Sequence, residues 1–162
     1  MICITAPDRK GRLQFQRMVA SVIEPGQQIE SLMHDLSPEA KTALRYLVKR
    51  RRLAQEMPVF AVEPRALLFL YSGRIAFYAE QEPHRRMKLA QHGPGTILGL
   101  RSVLENEASK IQAVTQEECE IGVVRADDFR DFLTQFPIGY MAIARILGCE
   151  LQSVYSMLRH QP

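Results

Sequence analysis

The sequence predicts a mainly β domain with flanking helices, its strands forming an antiparallel sandwich or barrel. Three observations carry this. After Pro58 the chain breaks into short runs of β-branched and aromatic residues separated by turn residues. Helix signals gather on either side of that stretch, near Pro38 before it and beyond Asp127 after it. Helical segments do not alternate with the strands, as they would around a parallel sheet.

Residues 11–22 mix Leu13, Phe15, Met18, Val19 and Val22 with Arg12, Gln14, Gln16 and Arg17, a partly amphipathic pattern that predicts a short helix. Pro25-Gly26 interrupts it. At Ser37-Pro38-Glu39 a capping hydroxyl, a proline at the first helical position and an acid in the first turn coincide, predicting a helix over 38–51. Six strands follow: Val59–Val62, Leu67–Tyr71, Arg74–Tyr78, Met87–Ala90, Lys110–Val114 and Glu120–Val124. Ser72-Gly73 reads as a tight hairpin between the second and third, because glycine accepts positive φ without penalty. Gly93-Pro94-Gly95 marks another reversal.

Asp127-Asp128 followed by Phe129, Phe132, Leu133 and Phe136 at helical spacing predicts a short helix ending before Pro137. A longer helix comes next. Along it Tyr140, Ala144, Leu147, Leu151, Val154 and Leu158 recur at alternating intervals of four and three, the period of a coiled-coil seam. The same pattern also suits a helix packed on its own domain, since the seam spans fewer than three heptads.

With 162 residues the chain fits one domain with at most a small appendage, and 46% hydrophobic with 24% charged residues is the composition of an ordinary globular protein. Its longest apolar run, Ala66–Tyr71, is far short of the roughly 18–20 residues of a membrane helix. Near the N-terminus Asp8, Arg9 and Lys10 follow a short apolar patch, the reverse of a secretory signal, so a cytoplasmic protein is expected. Cys3, Cys119 and Cys149 are scattered and odd in number, which suggests neither a disulfide framework nor a zinc site.

Charge is uneven. Residues 1–55 hold ten Lys/Arg against five Asp/Glu, and residues 56–162 hold eleven against thirteen. The basic peak, Lys49-Arg50-Arg51-Arg52, suits phosphate or an acidic partner; the plainer reading is a solvated helix end whose cations complement the helix dipole. Nothing points to an enzyme. Asp127, Asp128 and Asp131 lie in the opening turns of a predicted helix rather than converging on a cleft, and the nucleophile-elbow, zincin, Walker and dinucleotide-binding motifs are missing.

From Leu70 to Val124 the sequence resembles the β-roll of the cyclic-nucleotide-binding domain superfamily, in particular the sensor half of the catabolite-activator and fumarate-nitrate-regulator transcription factors. Leu70-Tyr71-Ser72-Gly73-Arg74-Ile75 resembles that family's hydrophobic-Ser-Gly-Arg/Lys-Val turn, and Gly93-Pro94-Gly95-Thr96-Ile97-Leu98-Gly99-Leu100 its Pro-Gly-Asp-hydrophobic-hydrophobic-Gly segment. Glu118-Cys119-Glu120-Ile121 is similar to its acid-Cys-Glu-Val strand start, and Arg125-Ala126-Asp127-Asp128-Phe129 to its entry into the next helix. The resemblance implies a double-stranded β-helix of jelly-roll type. It implies the roll over 31–137 and a dimerisation helix over 138–162, with a homodimer formed through the Tyr140–Leu158 seam; residues 1–30, partly helical by the pattern over 11–22, are left as an N-terminal extension. The family's DNA-reading winged helix-turn-helix would begin after that helix, so a sensor and dimerisation unit is expected, without sequence-specific DNA binding of its own.

In the family's nucleotide binders, backbone amides after the Gly matching Gly99 cradle the cyclic phosphate. A Glu directly after it accepts from the ribose, and an Arg some ten residues on pairs with the phosphate. Here Leu100 takes the Glu position, Ser109 the Arg position, and Lys110 follows. Arg101 or Lys110 could substitute as a point charge, yet neither restores the ribose acceptor, and Arg and Lys are not interchangeable in bidentate geometry. The candidate ligand-binding residues are therefore Gly99, Leu100, Arg101, Ser102, Ser109 and Lys110. His84 and His92 flank the predicted Met87–Ala90 strand as candidate metal ligands, with turn residues the plainer account, and three scattered cysteines cannot hold an iron–sulfur cluster. The expected function is a dimeric regulatory module with a degenerate phosphate cassette and neither metal nor cofactor. Its roll would sense a small anion or serve a protein partner. The alternatives are a true sensor of a cyclic nucleotide or other small anion through Gly99, Arg101, Ser102 and Lys110, and an electrostatic nucleic-acid binder through Lys49–Arg52.

Overall fold

A computed structural model describes residues 26–61, 63–81, 85–108 and 111–159. The helix predicted over 11–22, Cys3, His84, Ser109 and Lys110 lie outside the described residues. Helix α1 (Gln28–Asp35), for which the sequence carried no signal, buries Leu32. Helix α2 (Pro38–Leu47) starts as predicted, with the Ser37 hydroxyl accepting from the Ala40 amide at 3.2 Å and Pro38 in the first turn.

It ends four residues earlier than predicted. Val48 is extended, and Lys49–Leu53 forms strand β1, so the basic tract is a strand and not a helix end. Helix propensity alone would let Lys and Arg continue the helix. A ladder to the last long strand, running from Lys49 opposite Val123 to Leu53 opposite Cys119, outweighs it. Arg50 reinforces that pairing through Glu120 at 2.6 Å and by lying 4.0 Å over the Tyr71 ring.

The segment predicted as a strand over Val59–Val62 is instead a 3₁₀ turn over Val59–Ala61. Pro58 and Pro64 bracket it, and the Ala61 amide bonds back to the Pro58 carbonyl at 3.3 Å. Strands β2 (Ala66–Ser72), β3 (Ile75–Gln81), β4 (Arg85–His92), β5 (Ile97–Leu98), β6 (Gln112–Thr115) and β7 (Cys119–Arg125) follow. They form two antiparallel sheets, one in the order β1-β7-β2-β5 and the other β4-β3-β6.

That topology corrects the hairpin expected at Ser72-Gly73. Strands β2 and β3 belong to different sheets, and the turn is a corner by which the chain crosses between them. Gly73 is needed for the corner: its φ is +86°, and a Cβ would stand 2.5 Å from the Glu118 carbonyl oxygen and the Cys119 sulfur.

Strand β2 is buried on both faces, which explains its unbroken apolar run. Ala66, Leu68 and Leu70 join Leu53, Ile75, Ala113 and Ile121 in one cluster with residues of both sheets. Leu67 and Phe69 face the helices, meeting Leu32, Leu44, Phe129 and Ile146 in a second cluster. Helix α3 (Leu100–Glu105) follows β5, and α4 (Ala126–Gln135) follows β7. Helix α5 (Ile138–Arg159) buries Ala142, Ile143 and Ile146 against the domain. From Leu151 to Arg159 none of its described side chains is buried.

Candidate functional site

The site is built at the turn from β5 into α3. Gly99 adopts a left-handed φ of +85°, and a Cβ there would lie 2.2 Å from the Ala66 carbonyl oxygen. Gly99 therefore lets the chain pass tightly over β2 and start α3, whose Val103 amide bonds to the Gly99 carbonyl at 3.2 Å. Leu100 then points into the helix-side core at 4% exposure. Arg101 is exposed and pairs with Glu105 one turn on, while Ser102 is buried.

Beside this segment lies a cavity of about 190 Å³. Phe60, Phe77, Ile97 and Leu98 line it from the roll, and Leu147 and Glu150 from α5. Gly99, Leu100, Arg101 and Ser102 all contribute, so four of the predicted ligand residues share one wall with Glu107 and His92. Leu147 alone of the predicted seam residues reaches it; Tyr140, Ala144, Leu151, Val154 and Leu158 are exposed. None of Lys49–Arg52 lines it.

Gln28, on α1, ties the cavity walls together. Its side-chain oxygen accepts from the Ile97 amide at 2.8 Å, and its side-chain nitrogen donates to Glu150 at 3.1 Å. Burial pushes the Glu150 carboxyl up, and the Gln28 hydrogen bond partly opposes this. Gln28, Phe60, Phe77 and Glu150 gave no sequence signal. The Gln28–Glu150 pair is separated by 122 positions, so packing alone brings it together.

His92 packs its ring 4.5 Å from that of Phe77, and its Nε2 is buried without a hydrogen-bond partner among the described residues. Burial pushes its imidazole below the ordinary value of 6.5. The unfolded chain therefore takes up a proton before the folded one, and stability contributed by neutral His92 is lost as pH falls through that value. Compared with the parent protein, His92→Phe should lose less stability between about pH 7.5 and about pH 5.5 in denaturant titrations, a window that spans the ordinary histidine pKa. Glu150 is common to both proteins, so equal losses would dismiss the assignment.

Among the described residues no group of His, Cys, Asp and Glu could hold a metal ion, and no helix is long and apolar enough to cross a membrane. Cys119 is buried, with its thiol pushed up by desolvation, and Cys149 is half-buried.

Residues 51–136, from β1 to just past α4, match the model of the family described as the cyclic nucleotide-binding domain. The chain belongs to that family. It is 27% identical over 124 residues to the cyclic AMP receptor protein of Thermus thermophilus, an overlap of 75% of this chain and 57% of that protein. The chain thus spans little more than half the length of the curated relative. The crystal structure of the Thermus thermophilus catabolite activator protein superposes with a TM-score of 0.66 at 26% identity, covering 80% of this chain and 62% of the other. The N-terminal domain of a transcriptional regulator from Streptomyces coelicolor shares the fold, with a TM-score of 0.62 at 18% identity over 79% of this chain and 93% of its own. These similar proteins are a receptor, an activator and a transcriptional regulator, none of them described as an enzyme.

Proposed function

We propose that the protein is a homodimeric, cytoplasmic regulatory module of the catabolite-activator type whose roll operates without a cyclic nucleotide. The observation that carries this is the chemistry of the β5–α3 wall. The position that the resemblance assigns to a ribose-accepting Glu holds Leu100, which is committed to the core. Arg101, the cation that lines the cavity among the described residues, is engaged by Glu105, and two carboxylates, Glu107 and Glu150, also line it. Hydrogen bonds to charged groups are worth roughly 1.5–3 kcal/mol each, so losing the ribose and phosphate partners weakens nucleotide binding by about two to four decades.

Helix α5 supports the dimer. Its last nine residues, unpacked within the single chain, carry Leu151, Val154, Tyr155 and Leu158 more than half exposed. A helix of that length is marginal in water, and a second copy offers the same apolar stripe in return. Of the basic tract, Lys49, Arg51 and Arg52 stay free of an ion pair among the described residues, leaving β1 as the face toward an acidic protein partner.

A thermal-shift titration with cAMP, cGMP and cyclic di-GMP tests the reading. A ligand at about a hundred times its Kd adds roughly 2.7 kcal/mol, which moves the midpoint of a chain this size by roughly 5–10 °C. The expected result is no shift at millimolar nucleotide. A shift of several degrees with any of the three would overturn it.

A further inference from the structure

Helices α2 and α4 leave between them a groove of about 930 Å³ that shares no lining residue with the cavity at the β5–α3 wall. Spacing explains its walls. Glu39, Ala43 and Tyr46 recur along α2 at i, i+4 and i+7, and Asp128, Asp131 and Phe132 along α4 at i, i+3 and i+4, so each helix turns one face to the groove. Every residue of both helices is described. Phe132 is buried and Ala43 half-buried, which makes the floor apolar, and Tyr46 stands beside it 91% exposed.

The rim is acidic. Glu39, Asp128 and Asp131 line the groove, and none of them has an ion pair among the described residues. The cations of the two helices do not compensate them, because Lys41, Arg45 and Arg130 do not line the groove and Arg130 is held by Asp127. An apolar floor under unpaired carboxylates selects a segment that is both apolar and cationic.

This chain contains such a segment. Residues 9–22, outside the described residues, carry Arg9, Lys10, Arg12 and Arg17 and no acid. Phe15, Met18, Val19 and Val22 fall at i, i+3, i+4 and i+7, one stripe of the helix predicted over 11–22, and Arg12 flanks that stripe. Reach is sufficient. From Val22 to Gly26 the chain spans up to roughly 14 Å, and a helix from Arg12 to Val22 adds roughly 15 Å. Gly26 lies at most roughly 30 Å from Pro38 at the start of α2, across α1 and a short link.

We propose that the acid-rimmed groove between α2 and α4 is the docking site of this chain's own residues 9–22, with their apolar stripe over Phe132 and Tyr46 and their cations at the carboxylate rim. The inference goes beyond the regulatory reading and stands whether or not the roll takes a nucleotide. It gives the N-terminal extension a role as the cover of a surface that is otherwise left apolar and exposed.

A charge-reversal cycle on the full chain forms the test. Asp128→Lys with Asp131→Lys, and separately Arg9→Glu with Arg12→Glu, should each lower the thermal midpoint by about 2–4 °C, and combining all four should restore at least about half of the summed loss. The chain has no tryptophan, so Tyr46→Trp places a single fluorescent reporter in the groove. Its emission should lie at shorter wavelength than when Phe15→Ser and Met18→Ser are added. Should the lysine variant not fold, this second measurement decides, because its serine substitutions leave both helices untouched. Losses that simply add across the cycle, or an emission that the serines do not move, would overturn the proposal. A short-wavelength emission that fades on dilution would make a second copy's segment the occupant and would overturn it as well.

Discussion

Replacing Leu151 and Val154 together with Asp should give a folded monomer. Both side chains are about half exposed in the single chain, at 54% and 51%, so the substitutions remove nothing the isolated domain depends on. In a dimer related by a twofold axis each position occurs twice. Burying an aliphatic side chain of this kind is worth about 1.5–3 kcal/mol, and the variant loses four of them while placing four carboxylates at the seam. The dissociation constant should rise by at least about three decades. Sedimentation or light scattering reads the mass directly, and circular dichroism establishes that the roll persists. An unchanged dimer mass would remove α5 from the interface.

The second large effect is expected from Gly99→Ala. The added methyl carbon would stand 2.2 Å from the Ala66 carbonyl oxygen, and the backbone at φ +85° is already unfavourable for any residue with a Cβ. Left-handed backbone costs an L-residue about 1–2 kcal/mol. The collision is with backbone of the central strand β2, which cannot swing aside as a side chain would. A total loss of at least about 3 kcal/mol, or roughly 6–12 °C in Tm, is expected in thermal denaturation. A loss below about 1 kcal/mol would mean that the β5–α3 turn shifts freely, and the wall containing Leu100 and Ser102 would then be no fixed surface.

The strands legible in the sequence were those whose burial dictates their composition. Strand β2 announces itself because both faces are covered, and β7 because Ile121 and Val124 are buried along it. Strand β1 was hidden by its chemistry: a run of Lys and Arg has no hydrophobic period, and only the ladder to β7 makes it a strand. The Ser72-Gly73 corner failed for a related reason. Positive φ at Gly73 serves a hairpin or a corner equally well, and the choice is made by pairings of β2 with β7 and of β3 with β6, more than thirty residues away.

The site divides in the same way. Gly99-Leu100-Arg101-Ser102 is contiguous, so a local motif could place it. Gln28, Phe77, His92 and Glu150 converge only after two sheets and two helices have packed, and neither the hydrogen-bond bridge through Gln28 nor the unpartnered His92 nitrogen has a local signature. The period of α5 was readable. That Leu147 turns toward the cavity while Leu151 does not depends on where the domain stops supporting the helix.

Among the described residues strand β1 closes one end of its sheet, and such an edge offers backbone donors and acceptors to a strand from another molecule. An apolar edge of that kind is a seed for aggregation. Four consecutive cations repel the same edge on a second copy, so sheet-to-sheet stacking into open-ended fibres is suppressed while a helix-mediated pair remains permitted. The tract that most resembles a binding patch thus also disfavours edge-to-edge pairing between copies of this chain.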